Sequence, residues 1–508
     1  MEARATLLTE GARPRPGQQY PDPVAWRELA LLCAAFVALL SAVSGRYGYH
    51  RDELYFIVIG GHPAFGYVDQ PPLIPLLAHW LDAVSGHSLA ALRIPSTVAG
   101  ALVVLLTGLI AHEFGGGRGE QLLAAGAMAA SPVLLGASHL MSTTSFDLLT
   151  WTLLVWLTVR ELRNPGPGWL LVGLVAGVGL EIKTLPLFLL AALLLGVLIA
   201  GPRPALRCPW LWTGALIAAA LWAPNVAWQA THNWPQLHLA SSIAAGHSGS
   251  SQPRGLFIPF QLLLLNPVLV PVWLLGLWRL ARDPRLARWR SLPVAYLLLT
   301  VFFIAVGGKP YYLAGIYPAL FAAGAAPTLR WARVARYRAV LLTGLAGLSA
   351  VVSTVAALPI VPVGRLHDTP IVAMNYDAGE QVGWPQLAHT LSSTYSSLPA
   401  AQRHHAIVLT GNYGEAGAVA RYGPTGIPVF SGHNSLAQLG PPPAGTDVAV
   451  AIGYPRSQLQ RWFTGVRLAT TFHNHDEVDN DEQGQRIWIC VGPTRPWPVL
   501  WVRMSHLS

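Results

Sequence analysis

Lysine is almost missing from this chain: 31 arginines stand against two lysines, Lys183 and Lys309. Charge of either sign is scarce, at 11% of 508 residues, while 53% are hydrophobic. A soluble globular domain carries about a quarter charged residues, so that class is excluded. Cysteine is as thin. Cys33 falls in an apolar span, Cys208 on the inner side and Cys490 on the outer, so no pair meets and a disulfide framework is excluded. There is no glycine-rich nucleotide loop, no long internal repeat and no heptad array. A cleavable leader is not expected either. The first apolar run is full length, follows a basic tail and lacks a small-residue cleavage site, so it reads as a signal anchor.

What fills the chain is a series of apolar runs of 15 to 22 residues, the mark of a polytopic α-helical membrane protein. The pattern predicts about eleven transmembrane helices, near 28–45, 92–112, 120–137, 146–160, 168–182, 185–201, 210–228, 257–278, 291–306, 311–328 and 338–358. With the amino terminus in the cytoplasm, the inner segments hold most of the basic residues. Arg279, Arg282, Arg285, Arg288 and Arg290 share one, and Arg330, Arg333, Arg336 and Arg338 another. That asymmetry is the positive-inside signal. It accounts for the formal charge of +9 without a nucleic-acid partner.

Three regions follow. Residues 1–25 are expected to form a disordered, polar cytoplasmic tail, and 26–358 the transmembrane domain. Residues 359–508 form a small mixed α/β domain outside the membrane. Its short β-like runs at Ala406–Thr410, Asp447–Ile452 and Arg486–Cys490 are separated by turn clusters at 422–426 and 440–445. The expected location is the plasma (inner) membrane, multi-pass, with the C-terminal domain extracytoplasmic.

Ionisable groups beside apolar spans usually face a cavity and do chemistry there. The first outward loop carries Arg51-Asp52-Glu53 and, further on, Gly66-Tyr-Val-Asp69-Gln70-Pro71-Pro72. A partly desolvated carboxylate such as Asp52 or Glu53 can act as a general base; the plainer reading is a helix cap favoured by the dipole. Asp69 stands on a turn stiffened by two prolines, as a metal ligand or substrate clamp requires, or simply as a surface turn. Asp147, after Ser142-Thr-Thr-Ser145, adds a third outward acid, though it too could be a cap. Lys183 and Lys309 suit phosphate capture as compact point charges, with Tyr311 and Tyr312 as aromatic walls. Snorkelling interfacial lysines are the alternative. His232 and His238 could complete a metal site with a carboxylate, or be surface histidines. Asp476, Glu477, Asp479, Asp481 and Glu482 read as a solvated acidic loop. Asn412-Tyr-Gly-Glu415 and Ser431-Gly-His-Asn434 are sugar-contacting loops or ordinary turns.

Taken together, Arg51-Asp52-Glu53, Gly66 to Pro72, Ser142 to Asp147 and Lys309-Pro-Tyr-Tyr312 resemble the dolichyl-phosphate-mannose–protein mannosyltransferase family, bacterial branch. These are membrane glycosyltransferases of the GT-C type. The tail motifs Asn412 to Gly417, Tyr422-Gly-Pro and Ser431 to Asn434 are similar to one bacterial subgroup. The resemblance implies a polyprenyl-phosphate sugar donor, an extracytoplasmic acceptor (envelope lipid, glycan or protein) and inversion at the anomeric carbon. It implies Asp52 as base or acceptor-orienting acid with Asp147 as partner, Asp69 as ligand of a divalent metal ion, and Lys309 beside the lipid phosphate. Where relatives resembling the lipid A aminoarabinose transferases carry a basic residue, this chain has Gln70, so Arg51 or Lys183 would substitute. The rival from another class is a transporter or flippase of lipid-linked substrates. It predicts broken helices, midplane charges and repeated halves, against the outer-boundary charges seen here.

Overall fold

The computed structural model describes residues 23–246 and 252–507. The tail expected over 1–25 falls, up to residue 22, outside them. Five helices are long and apolar enough to cross a membrane: Trp26–Val43, Leu89–Glu113, Pro209–Thr231, Pro310–Arg333 and Arg336–Ala357. Two expected spans are bent. Arg118–Ala129 meets Pro132–His139 at 60°, and Arg254–Leu264 meets Pro267–Arg282 at 84°. Proline at each break removes a backbone donor and turns the chain. Counting each bent pair once gives seven spans among the described residues, and Leu73–Val84, Gly168–Leu180, Leu185–Ala200 and Ser291–Ala305 are apolar but shorter. Length and apolarity therefore do not reproduce the count of eleven. The architecture is helical, with several apolar helices, and carries a small mixed sheet at the C-terminus.

Leu89–Glu113 and Pro310–Arg333 lie at the centre, 72% and 83% buried over their apolar windows, while Arg336–Ala357 is 11% buried and peripheral. The central packing uses small residues. A Cβ added at Gly276 would strike the Leu320 carbonyl, and one at Gly324 the Val272 carbonyl. Pro267–Arg282 and Pro310–Arg333 therefore touch backbone to backbone, as helices do where apolar surface alone gives no drive to associate.

Between the first two long helices the chain is not a plain loop. Arg51–Gly60 and Leu73–Val84 form a helical hairpin, too short to register as spans in the sequence. His50 starts the first of these helices with a capping box: its ring accepts from the Asp52 N–H, and Glu53 accepts from the His50 N–H at 2.8 Å.

The C-terminal domain is built on one mixed sheet with strand order β2-β1-β3-β5-β4. The strands are β1 (Ala406–Thr410), β2 (Val429–Ser431), β3 (Val448–Ile452), β4 (Phe463–Thr471) and β5 (Arg486–Pro493). β1 pairs in parallel with β2 and β3, while β5 runs antiparallel to β3 and β4. β1 and β3 are buried on both faces, which is why they read as unbroken apolar runs. Ile407 and Leu409 face Trp462 and Trp497. Val408 and Val450 join Leu54, Tyr55 and Ile74 of the hairpin in one core. That shared core, with Arg421 paired to Asp82 at 3.6 Å, seats the domain on the hairpin.

Candidate active site

The helix Tyr413–Tyr422 brings the domain onto the first acidic cluster. Its glycines permit the approach: a Cβ on Gly417 would lie 2.7 Å from Leu54 Cβ, and one on Gly414 3.0 Å from Arg51 Cβ. Asn412 caps this helix through its own box with Glu415. Tyr413, the first helical residue, then donates its phenol to Asp52 Oδ1 at 2.8 Å.

A second acid is held in the same way. Tyr55 donates to Asp69 Oδ1 at 2.8 Å, and Ser435 of the C-terminal domain donates to the same oxygen at 3.1 Å. The rings of Tyr55 and Tyr413 stack, 4.5 Å apart at 30°. Asp52 and Asp69 are thus tied into one assembly by a pair of stacked phenols. Burial pushes the Asp69 carboxyl up to about 6, against the two hydroxyl donors that favour its charged form.

The ammonium groups face this assembly. Lys183 Nζ lies 5.1 Å from the centre of the Tyr311 ring and 5.5 Å from that of Tyr312, with Thr144 Oγ1 at 3.5 Å. Burial draws Lys183 below the usual lysine range, while Asp147 and Asp52 hold it up. Removal from water pushes Lys309 down to about 8, Lys183 adds to that by repulsion, and Asp52 and Asp377 oppose it. Asp52 thus favours the charge on both lysines, and Asp147 that on Lys183. Ser142, not Asp147, caps the Thr143–Arg163 helix, accepting from the Ser145 N–H. Asp147 is left buried with Oδ1 lacking a hydrogen-bond partner.

Other expected members do something else. Glu53, expected beside Asp52 in the chemistry, is fully buried and saturated. Arg93 binds both its oxygens at 2.8 Å, and the Met141 and His50 N–H groups fill the rest. No lone pair is left to take a proton. Arg51, expected at the phosphate, is already claimed: Nη1 meets Tyr376 at 2.7 Å, Asp481 at 2.9 Å and Glu380 at 3.1 Å. The acidic run at 476–482 is accordingly not a purely solvated loop, because Asp481 binds Arg51 and Glu482 is 2% exposed. Gln70 is buried with its amide nitrogen unpartnered.

The metal set expected from Asp69, His232 and His238 does not assemble. Among the described residues no group of three or more His, Cys, Asp or Glu side chains could hold an ion. His232 is exposed, lies flat on Trp228 at 4.1 Å and turns Nδ1 to its own helix at Trp228 O. His238 is also exposed. Among the described residues Asp69 has no His, Cys, Asp or Glu partners that would complete a protein-caged divalent site.

Sequence reading missed Tyr55, Ser435, Tyr376, Asp377 and the role of Tyr413. Tyr413 had one signal, its place in the Asn412-Tyr-Gly-Glu415 motif. Tyr55 meets Asp69 across a turn of 14 residues and carries no charge to mark it, while Ser435, Tyr376 and Asp377 come to the site only when the C-terminal domain docks.

Residues 69–228 match the family model described as dolichyl-phosphate-mannose-protein mannosyltransferase. The structure of ArnT from Cupriavidus metallidurans bound to undecaprenyl phosphate superposes with a TM-score of 0.62 at 15% identity, covering 92% of this chain and 98% of that one. The same protein in the apo state gives 0.62 at 13% identity, with the same coverage. Arabinofuranosyltransferase AftD from Mycobacteria gives 0.50 at 14% identity, covering 93% of this chain and 42% of that one. No curated protein matches by sequence. The chain therefore has a GT-C-type fold, and within it residues 69–228 resemble the dolichyl-phosphate-mannose-protein mannosyltransferase family.

Proposed function

We propose that the protein is an inverting glycosyltransferase of the plasma membrane that moves a hexosyl or pentosyl unit from a polyprenyl-phosphate donor to an extracytoplasmic acceptor. The observation that carries this reading is a partly buried site that holds Asp52 on the Tyr413 phenol and Lys183 over the rings of Tyr311 and Tyr312. The fold shared with a protein solved bound to undecaprenyl phosphate supports the donor class.

The chemistry follows from the charges. The acceptor hydroxyl oxygen attacks C1 of the sugar from the face opposite the phosphate. The C1–O bond breaks, and its electron pair leaves with the polyprenyl phosphate. Asp52 takes the hydroxyl proton, and Asp147 holds Lys183 in place. Lys183 and Lys309 face the charge that builds on the departing phosphate, where fixed cations in a water-poor site are most effective. No nucleotide is needed, because the leaving group is already attached. Envelope lipid, glycan and protein all present the required hydroxyl.

Purified protein incubated with a panel of lipid-phosphate sugars tests the reading. Release of polyprenyl phosphate with a sugar of inverted configuration on the acceptor is expected. Absence of release from every donor, with the protein folded, overturns it.

A further inference from the structure

We propose that Tyr413, in the C-terminal domain, is a positioning residue that fixes the Asp52 carboxylate for proton transfer through its phenol hydrogen bond. The inference rests on the reading of Asp52 as the base and names what orients it.

Asp52 sits on the first turn of Arg51–Gly60, and its backbone N–H is spent on the His50 ring. Its carboxylate is met by a donor from 361 residues further on, the Tyr413 hydroxyl at 2.8 Å. The phenol has little freedom to leave. Its ring lies against Tyr55 at 4.5 Å and His433 at 4.7 Å, and Arg51 stands over it at 4.9 Å. Its own N–H is bonded to His433 Nδ1 at 3.3 Å.

The hydroxyl is separable from the packing. A phenylalanine would preserve the stack, the cation over the ring and the helix start. What it would lose is the hydrogen bond to Asp52 Oδ1. Burial and the nearby Asp52 charge hold the Tyr413 phenol well above its ordinary range, so it is a donor throughout. A donor on Oδ1 fixes the plane of the carboxylate and leaves Oδ2 to face the acceptor.

The test is Tyr413→Phe in the full-length protein, with kcat and KM for the donor measured beside the unfolding midpoint. A hydrogen bond to a charged group predicts a fall in kcat of about ten- to a hundredfold, with KM unchanged within about twofold. Wild-type kcat overturns the proposal, as does a loss confined to KM. Should the phenylalanine variant not fold, fluorotyrosine at position 413 keeps the shape and makes the phenol a stronger donor. A changed kcat at constant KM is then expected, and wild-type kcat overturns the proposal. Asp52→Asn measured in parallel separates the two claims. Activity in that variant removes the base and this inference together, whereas an inert Asp52→Asn with a normal Tyr413→Phe removes this inference alone.

Discussion

Arg93 grips Glu53 with two nitrogens, Nε on Oε1 and Nη2 on Oε2, each at 2.8 Å, and neither side chain has exposed surface. Arg93 also donates to the Ser44 and Gly48 carbonyls at 2.7 Å, so the pair locks the end of the first helix to the start of the hairpin. Glu53→Gln leaves a buried guanidinium without its counter-charge, at a cost of about 3–5 kcal/mol. A markedly lower thermal midpoint in detergent is expected, with transfer per folded molecule less affected. Wild-type stability would contradict this assignment.

Asp52→Asn keeps the shape of the side chain and its contact with Tyr413 but cannot accept a proton. Transfer should drop by a factor of at least about a hundred, with an unchanged midpoint and unchanged donor binding. Near-normal turnover would take Asp52 out of the mechanism.

Lys309, pushed down to about 8 by removal from water and then by Lys183, sets an alkaline limit. A base whose pKa is lowered is charged below that value and neutral above it. Donor affinity should hold at neutral pH and weaken as pH rises through about 8. Lys309→Arg, which stays charged across this range, should flatten that limb even if KM is higher throughout. Donor KM measured against pH in both proteins checks the sign, and an alkaline limb that survives in the arginine variant would exclude Lys309.

Arg51 is held by Tyr376, Glu380 and Asp481 and so serves the domain contact. Arg51→Leu should raise hydrogen exchange over 376–381 and 479–483 and leave donor KM within about threefold, since the phosphate loses no ligand. A tenfold rise in donor KM without a change in exchange would instead place Arg51 at the phosphate.

Much of the helical part was legible because long apolar runs bounded by arginine leave few alternatives. Leu89–Glu113 and Arg336–Ala357 fall within a few residues of the predicted spans. The bends at Ala130–Ser131 and Leu265–Asn266 were not legible, since proline alone does not say whether a span kinks or breaks. The hairpin was hidden because helices of 10 and 12 residues give neither a span nor a strand pattern. β1, β3 and β5 were visible in their apolar runs; β2 has three residues and β4 a half-exposed pattern. Within the candidate site, Asp52 and Lys309 stood out as rare charges near spans. Glu53 carried the same local signal, yet its partner Arg93 is 40 residues away, so sequence could not separate a buried ion pair from a free acid.

The two-glycine stripe at 414 and 417 limits how such proteins can be recombined. A graft that replaced the last third of the chain with a homologous domain bearing bulkier side chains at these two places would fold as two intact halves. Its cap helix would nevertheless ride higher over Leu54, and the phenol would hang short of the carboxylate. Compatibility between the two parts is thus decided where an added Cβ would stand 2.8 Å from Trp384 and 2.7 Å from Leu54, and overall likeness of the grafted domain is a poor guide to it.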